Sequence, residues 1–432
     1  MRFQSTRGQT QVSLREALEA GLAPDGGLYI PELFPFFPKE EFKDARTLAE
    51  VGAKLLRPFF KEDPVLGPEL EQICKNTFEF DIPLSKVPNK TNDFILELFH
   101  GPTSAFKDVG ARFLAECIST LARAETVSKK RTVIVATSGD TGGAVAAAFH
   151  GKPGVDVVIL FPEGRVSPRQ EAQLCAWGDN VQAISVNGSF DDCQKLVKEM
   201  LLEKRTNGRT FLSANSINLG RILPQAIYYA HASLSLARMG TWDPAEFVIP
   251  TGNLGNALAA LWAKKMGLPI GRIHLAFNAN RPVVDYLKTG TYQAAPTQAT
   301  LANAMDVGNP SNLERVFALY PEVANLRKDV DADTVSDKEI TEIIRTSKSE
   351  WGQILCPHTA VAVAVRKRLL SSQRTPMVIV STAHPVKFET IVEPLVSETL
   401  PIPEGLASIL ERPVSKQTID PSLENLKRIL HE

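Results

Sequence analysis

The stretch His100-Gly-Pro-Thr-Ser-Ala-Phe-Lys107-Asp-Val-Gly holds the least ordinary placement of charge in the chain. Gly101-Pro102 marks a turn, so Lys107 falls near the start of the helix that follows. A cation is unfavourable at that end of a helix. Flanked by Phe106 and Val109, such a lysine has a route to a depressed pKa. A neutral amine is what covalent catalysis through a Schiff base requires. The plainer alternative is a solvated lysine paired with Asp108.

Three further loops each follow an apolar run: ATSGDTGG (136–143), PTGNLGN (250–256) and STAHPVKF (381–388). In open parallel sheets, ligands bind beyond the carboxyl ends of the strands. In PTGNLGN, Gly252 and Gly255 let the backbone approach an anion, and a helix start there offers unpaired N–H groups. No Lys-Ser/Thr pair follows the second glycine, and the spacing is not GxGxxG. Nucleotide and dinucleotide fingerprints are therefore absent. In ATSGDTGG, the hydroxyls of Thr137, Ser138 and Thr141 surround Asp140 and suit a carboxylate or phosphate. Taken singly, each loop is also a tight strand-to-helix turn whose side chains only cap the helix. A fourth cluster, SANSINLGR (213–221), offers Asn215, Ser216 and Asn218 as caps. Arg221 then lies in a first helical turn, where a cation calls for a nearby anion. Arginine is the preferred bidentate partner of phosphate; a surface salt bridge is the alternative.

These loops need elements to hold them. From residue 130 the chain alternates. Strands are predicted at Arg131–Thr137, Val155–Phe161, Val181–Val186, Glu246–Pro250, Arg272–Asn278 and Pro376–Ser381. Helices are predicted at Ala144–Phe149, Ser167–Trp177, Ser189–Glu203, Asn218–Met239, Gly255–Met266 and Thr359–Leu370. Ser167 and Ser189 read as N-caps, with Pro168 at a first helical position. This alternation implies βαβ units and parallel sheet covered on both faces. Residues 280–335 break the rhythm and read as an insertion or extended loops. Within them, Met305, Asp306 and Asn309 form either a loop that closes over a ligand or a structural turn. Residues 1–95 show two helical patterns, Thr47–Phe60 and Leu66–Phe78, after a Pro- and Gly-rich start. The tail beyond Glu398 is Pro-rich, then helical.

The chain has 432 residues, enough for two or three domains with real cores. A net charge of −1 gives no basic excess to suggest nucleic acid. No apolar run approaches the ~20 residues of a membrane span. Residues 1–17 carry Arg2, Arg7 and Arg15 but no apolar stretch, so no secretory signal is read. The five cysteines are scattered without zinc spacing, which suits reduced thiols in the cytoplasm and no metal.

Taken together, the blocks carry a resemblance. HGPTSAFKD closely resembles the pyridoxal 5'-phosphate (PLP) lysine motif of threonine synthases. ATSGDTGG, SANSINLGR, PTGNLGN and STAHPVKF are similar to that family's blocks, in its order, and PDGGLYIPE (24–32) is similar to its start. The resemblance implies an α/β fold of PLP fold type II, with two parallel-sheet subdomains and a mostly helical N-terminal domain. It implies an N-terminal domain at 1–95, a large PLP-binding subdomain at 96–130 and 216–395, a small mobile one at 131–215, and a tail at 396–432. By position, Lys107 holds PLP beside Phe106. Gly252, Asn253, Leu254, Gly255 and Asn256 surround the cofactor, with Asn253 near the ring hydroxyl. Thr382 faces the pyridine nitrogen. Thr137, Ser138, Asp140 and Thr141 meet the substrate's carboxylate and phosphate, and Asn215, Ser216 and Arg221 complete the phosphate pocket. The implied reaction turns O-phospho-L-homoserine and water into L-threonine and phosphate, by γ-elimination and β-addition of water. A monomer or homodimer without nucleic-acid or membrane partners is expected. The alternative is a phospho-lyase giving 2-oxobutanoate from the same substrate. A threonine dehydratase would not need the cluster at 215–221. A non-catalytic binding protein would not need Lys107.

Overall fold

Two six-stranded sheets carry the loops described above. The structure is a computed structural model that describes residues 1–125, 130–203, 205–206, 209–240, 243–370 and 374–431. Its first strands are β1 (Phe3–Ser5), β2 (Gln11–Val12) and β3 (Tyr29–Pro31). Next come β4 (Leu84–Lys86), β5 (Asp93–Glu97), β6 (Lys130–Ala136), β7 (Val155–Pro162), β8 (Val181–Val186), β9 (Arg205–Thr206) and β10 (Arg209–Ser213). The last are β11 (Ala245–Pro250), β12 (Ile270–Phe277), β13 (Val330–Thr334), β14 (Met377–Ser381) and β15 (Gln417–Ile419).

The smaller unit has strand order β15-β8-β7-β6-β10-β9, and the larger has β13-β12-β11-β14-β5-β4. Both are parallel apart from one antiparallel edge strand each, β9 and β4. Central strands are apolar almost throughout: Val133–Val135 in β6, Val157–Phe161 in β7 and Met377–Val380 in β14 are all buried. Parallel strands covered by helices on both faces require that composition. The connecting helices start where capping chemistry places them. Ser167 and Ser189 each form a capping box, and Pro168 opens its helix.

Four expectations are revised. The predicted helix Asn218–Met239 is two helices, Leu219–Ile222 and Gln225–Met239. Pro224 separates them, because its ring and missing N–H end the first. Residues 280–335 are more than loops. They contain helices Pro282–Thr289, Leu313–Leu319 and Val323–Asp329, and β13, which pairs with β12 from Ile273↔Val330 onward. Within 1–95, β1–β3 form a small antiparallel sheet, and β5 pairs with β14 in the large sheet. The apolar run Phe94-Ile95-Leu96 is buried there. The tail also returns to the core: β15 pairs with β8, and Ile419, Leu426 and Leu430 join the cluster of Ile184, Val186 and Leu196. Among the described residues, no helix is long and apolar enough to cross a membrane. No group of His, Cys, Asp and Glu among them could hold a metal.

Candidate active site

Lys107 is the first residue of helix Lys107–Ala124. The loop before it is held by the turn after β14. The Phe106 N–H donates to the Thr382 carbonyl (2.8 Å), and the His384 N–H donates to the Ser104 carbonyl (3.0 Å). Ser104 takes a left-handed conformation, φ 55°, to make this fit. The Lys107 amine sits 4.6 Å over the Phe106 ring. Desolvation lowers it to about 8, Arg221 adds to the drop and Asp140 opposes it. Asp108 is not its partner. That carboxylate is buried and accepts the Thr103 N–H (2.9 Å) and hydroxyl (2.6 Å). The solvated Lys107–Asp108 pair is therefore excluded.

The loop after β6 is built around Thr137, whose hydroxyl accepts the N–H groups of Gly139 and Gly142, both at 2.9 Å. Ser138 and Thr141 are half-buried. Asp140 opens helix Asp140–Phe149. Its carboxylate meets the Lys387 amine at 2.9 Å and the Gln170 amide at 3.1 Å. Burial pushes Asp140 upward, but Lys387 and His358 outweigh that and hold it below the usual carboxylate range.

The loop after β11 leads into helix Gly255–Lys265 through Leu254, itself left-handed at φ 62°. A Cβ at Gly252 would lie 2.7 Å from the Met305 backbone, so only glycine fits this approach. The Asn253 amide donates to the Ser216 hydroxyl (2.7 Å), and its oxygen accepts the Ser311 N–H (2.6 Å). Asn256 accepts the hydroxyls of Tyr228 (2.7 Å) and Tyr229 (2.5 Å). Its own Nδ2 is buried without a partner among the described residues.

Arg221 is buried, which excludes the surface salt bridge. One Nη donates to the Ala214 carbonyl, while Nε has no partner among the described residues. Desolvation lowers it to about 10, so it stays charged at neutral pH. Asn215 gives both ends of its amide to Ala136, donating to the carbonyl at 2.7 Å and accepting the N–H at 3.3 Å. It thus extends the β10–β6 pairing with its side chain. Ser216 accepts from Asn253 and, at 3.3 Å, from the Asn312 amide. The Thr382 side chain is buried while its carbonyl holds the Lys107 loop.

Three functional-looking residues were not singled out in the sequence. Lys387 is fully buried within the STAHPVKF block; a lysine wedged between Val386 and Phe388 was the available signal. His358 is buried, accepts the Ala304 N–H at 3.2 Å and leaves Nδ1 without a partner among the described residues. Desolvation lowers it to about 4; Asp140 opposes the drop, and Lys107 and Lys387 add to it. Arg315 is buried in the aperiodic stretch. It donates to the carbonyls of Tyr29 (3.0 Å), Ser216 (3.2 Å) and Ile217 (2.7 Å), tying the N-terminal unit to the site. No local pattern announces it. The loop at 303–309 is a packed turn: Asp306 accepts from Thr300 and Asn278, and Asn309 from the Tyr292 hydroxyl.

The donor set fits a phosphate-bearing aldehyde cofactor. It offers a lysine with a lowered pKa, a helix start that admits close backbone approach, and two buried donors, Arg221 Nε and Asn256 Nδ2, without protein partners among the described residues. Residues 79–382 match the family described as pyridoxal-phosphate dependent enzyme. Residues 2–78 match threonine synthase N terminus, and residues 359–430 match threonine synthase, C-terminal. The chain is 38% identical over 423 residues to threonine synthase of Haemophilus influenzae, covering 98% of this chain and 97% of that one. It resembles the crystal structure of threonine synthase from Escherichia coli with a TM-score of 0.90 and 35% identity, over 100% and 99% of the two chains. For PLP-bound threonine synthase from Brucella melitensis the TM-score is 0.89 at 34% identity, over 100% and 98%. Matched in its N-terminal unit, its catalytic body and its tail, this chain belongs to the threonine synthase family of PLP-dependent enzymes.

Proposed function

We propose that the chain converts O-phospho-L-homoserine and water into L-threonine and phosphate, with Lys107 as covalent anchor and proton carrier. The observation that carries this is a buried amine at a helix start, lowered to about 8, beside a buried arginine whose Nε has no partner among the described residues. PLP supplies the electron sink that makes the substrate's carbon-bound protons removable. The protein's part is positioning and proton transfer. The Gly252–Asn256 turn and the helix start behind it hold the cofactor phosphate. Thr382 is the residue that would meet the ring nitrogen, where a hydroxyl would not enforce a proton as a carboxylate would. The free Lys107 amine would take the substrate's α-proton and redeliver protons in later steps. An amine with a pKa near ambient pH serves as both base and acid.

Arg221 binds the leaving phosphate. Asn215 shapes that pocket through Ala136, and Ser216 does so through Asn253. Backbone N–H groups and hydroxyls at Thr137, Ser138 and Thr141 receive the substrate's anionic groups. The enzyme works in the cytoplasm as a monomer or homodimer, without nucleic-acid partners. The test pairs the purified protein with Lys107→Ala. The expected result is a visible absorbance band and equal amounts of phosphate and threonine in the parent, with neither band nor turnover in the variant. Phosphate released with 2-oxobutanoate would identify the lyase instead.

A further inference from the structure

We infer that Lys387 is a positioning residue whose task is to cancel the charge of Asp140, so that the loop at 137–142 can receive a polyanionic substrate. The inference rests on the reading of that loop as the one that meets the substrate's anionic groups.

The geometry is specific. Lys387 follows β14 on the large sheet, and Asp140 follows β6 on the small one. Their side chains are 0% and 7% exposed and meet at 2.9 Å. The Lys387 amine also donates to the Thr103 carbonyl at 2.7 Å, in the turn that leads to Lys107. The lysine therefore joins its own turn after β14 to two other segments of the site, the Asp140 loop and the turn before Lys107. Its backbone is held as well. Helix Pro168–Cys175 of the small unit sends the Ser167 hydroxyl from its cap to the Lys387 carbonyl (3.1 Å) and Arg169 to the Val386 carbonyl (2.7 Å). The same helix sends Gln173 to the Thr103 carbonyl (3.2 Å) and Gln170 to Asp140 (3.1 Å). These links are polar, so the two units meet here through groups that only fit in one register.

The charge argument follows from burial. O-Phospho-L-homoserine brings a carboxylate and a phosphate. A bare carboxylate at Asp140, shielded from water, would repel both far more strongly than it would in solvent. Two of the three ammonium donors of Lys387 already have protein partners, Asp140 and Thr103. That pattern suits a resident counter-charge rather than a ligand-binding cation.

The experiment measures steady-state kinetics on the cofactor-loaded enzyme, comparing Lys387→Met, Asp140→Asn and the double variant. Lys387→Met leaves Asp140 uncompensated, and KM for O-phospho-L-homoserine should rise on the order of 30-fold while the visible cofactor band persists. Adding Asp140→Asn should bring KM back to within about threefold of the parent, because the orphan charge is gone. A single variant with unchanged KM, or a double variant no better than the single, would overturn the inference. If Lys387→Met does not fold, the double variant decides, since it carries no buried lone charge. A double variant with KM still raised about tenfold would make Lys387 a direct substrate ligand. A double variant that does not fold would make the pair purely structural. Either result overturns the proposal. Failure of the parent itself to form threonine would instead remove the reading beneath it.

Discussion

Lys107 stores free energy as well as chemistry. Its amine falls from 10.5 to about 8 in the folded chain, chiefly by desolvation. Between those values the unfolded chain binds more protons, so stability rises with pH across that window. Below about pH 8 the full penalty, about 3 kcal/mol, is present. Cofactor-free Lys107→Met should therefore be more stable than the cofactor-free parent by about 2–3 kcal/mol at pH 7. The gap should close as pH rises from 8 toward 10.5, which urea unfolding at pH 7 and pH 10 would show. An equal gap at both values would mean that the amine is not depressed in the folded chain. Lys107 was legible because a cation at a helix start is anomalous in one dimension. Lys387, His358 and Arg315 were not, because the groups that define them lie far away along the chain: Asp140 for Lys387, Tyr29 for Arg315. Asn215 illustrates the opposite limit. Its residue type suited a phosphate contact, and the sequence did not show that its amide also bonds both backbone groups of Ala136.

At the scale of elements, the candidate site is a set of turns at the carboxyl ends of β5, β6, β10, β11 and β14. Close backbone approach is the property that matters most in the turn after β11. Gly252→Ala would drive a methyl group to 2.7 Å from the Met305 backbone, separating the 250–256 turn, proposed to hold the cofactor phosphate, from the turn at 303–306. The expected result is a tenfold or greater loss of PLP affinity in an absorbance titration, with the far-ultraviolet circular dichroism unchanged. A variant that binds PLP as tightly as the parent would show that the 303–306 turn gives way freely. The strands from β6 to β8 could be read because buried parallel strands are rich in apolar residues. β13 could not, since Val-Asp-Ala-Asp-Thr at a sheet edge carries two apolar residues. The break at Pro224 sits between two apolar stretches that together mimic one helix.

At the scale of the molecule, the tail is what completes the small sheet. β15 covers the β8 edge, and Leu426 and Leu430 lie over helix Phe190–Leu202 and its strands. Leu426 is fully buried, so Leu426→Ala should cost about 2–4 kcal/mol. Hydrogen exchange should show the loss in β7, β8 and helix Phe190–Leu202, with β11, β12 and β14 still protected. Uniform loss across both sheets would mean that the two units unfold as one. Sequence could not reveal this role, because a three-residue edge strand has too little pattern to separate from loop.

The position of β15 also sets a timetable. The strands β6 to β10 are made early, yet their sheet stays open at the β8 edge until residues 417–430 have left the ribosome. At about 5–20 residues per second, that wait after β10 is roughly 10–45 seconds. Throughout it the β8 edge stands unpaired, and Ile184 and Val186 lack the cover of Ile419, Leu426 and Leu430. An open parallel edge is a template for foreign strands. Slowing its translation should therefore lower the yield of soluble enzyme rather than raise it.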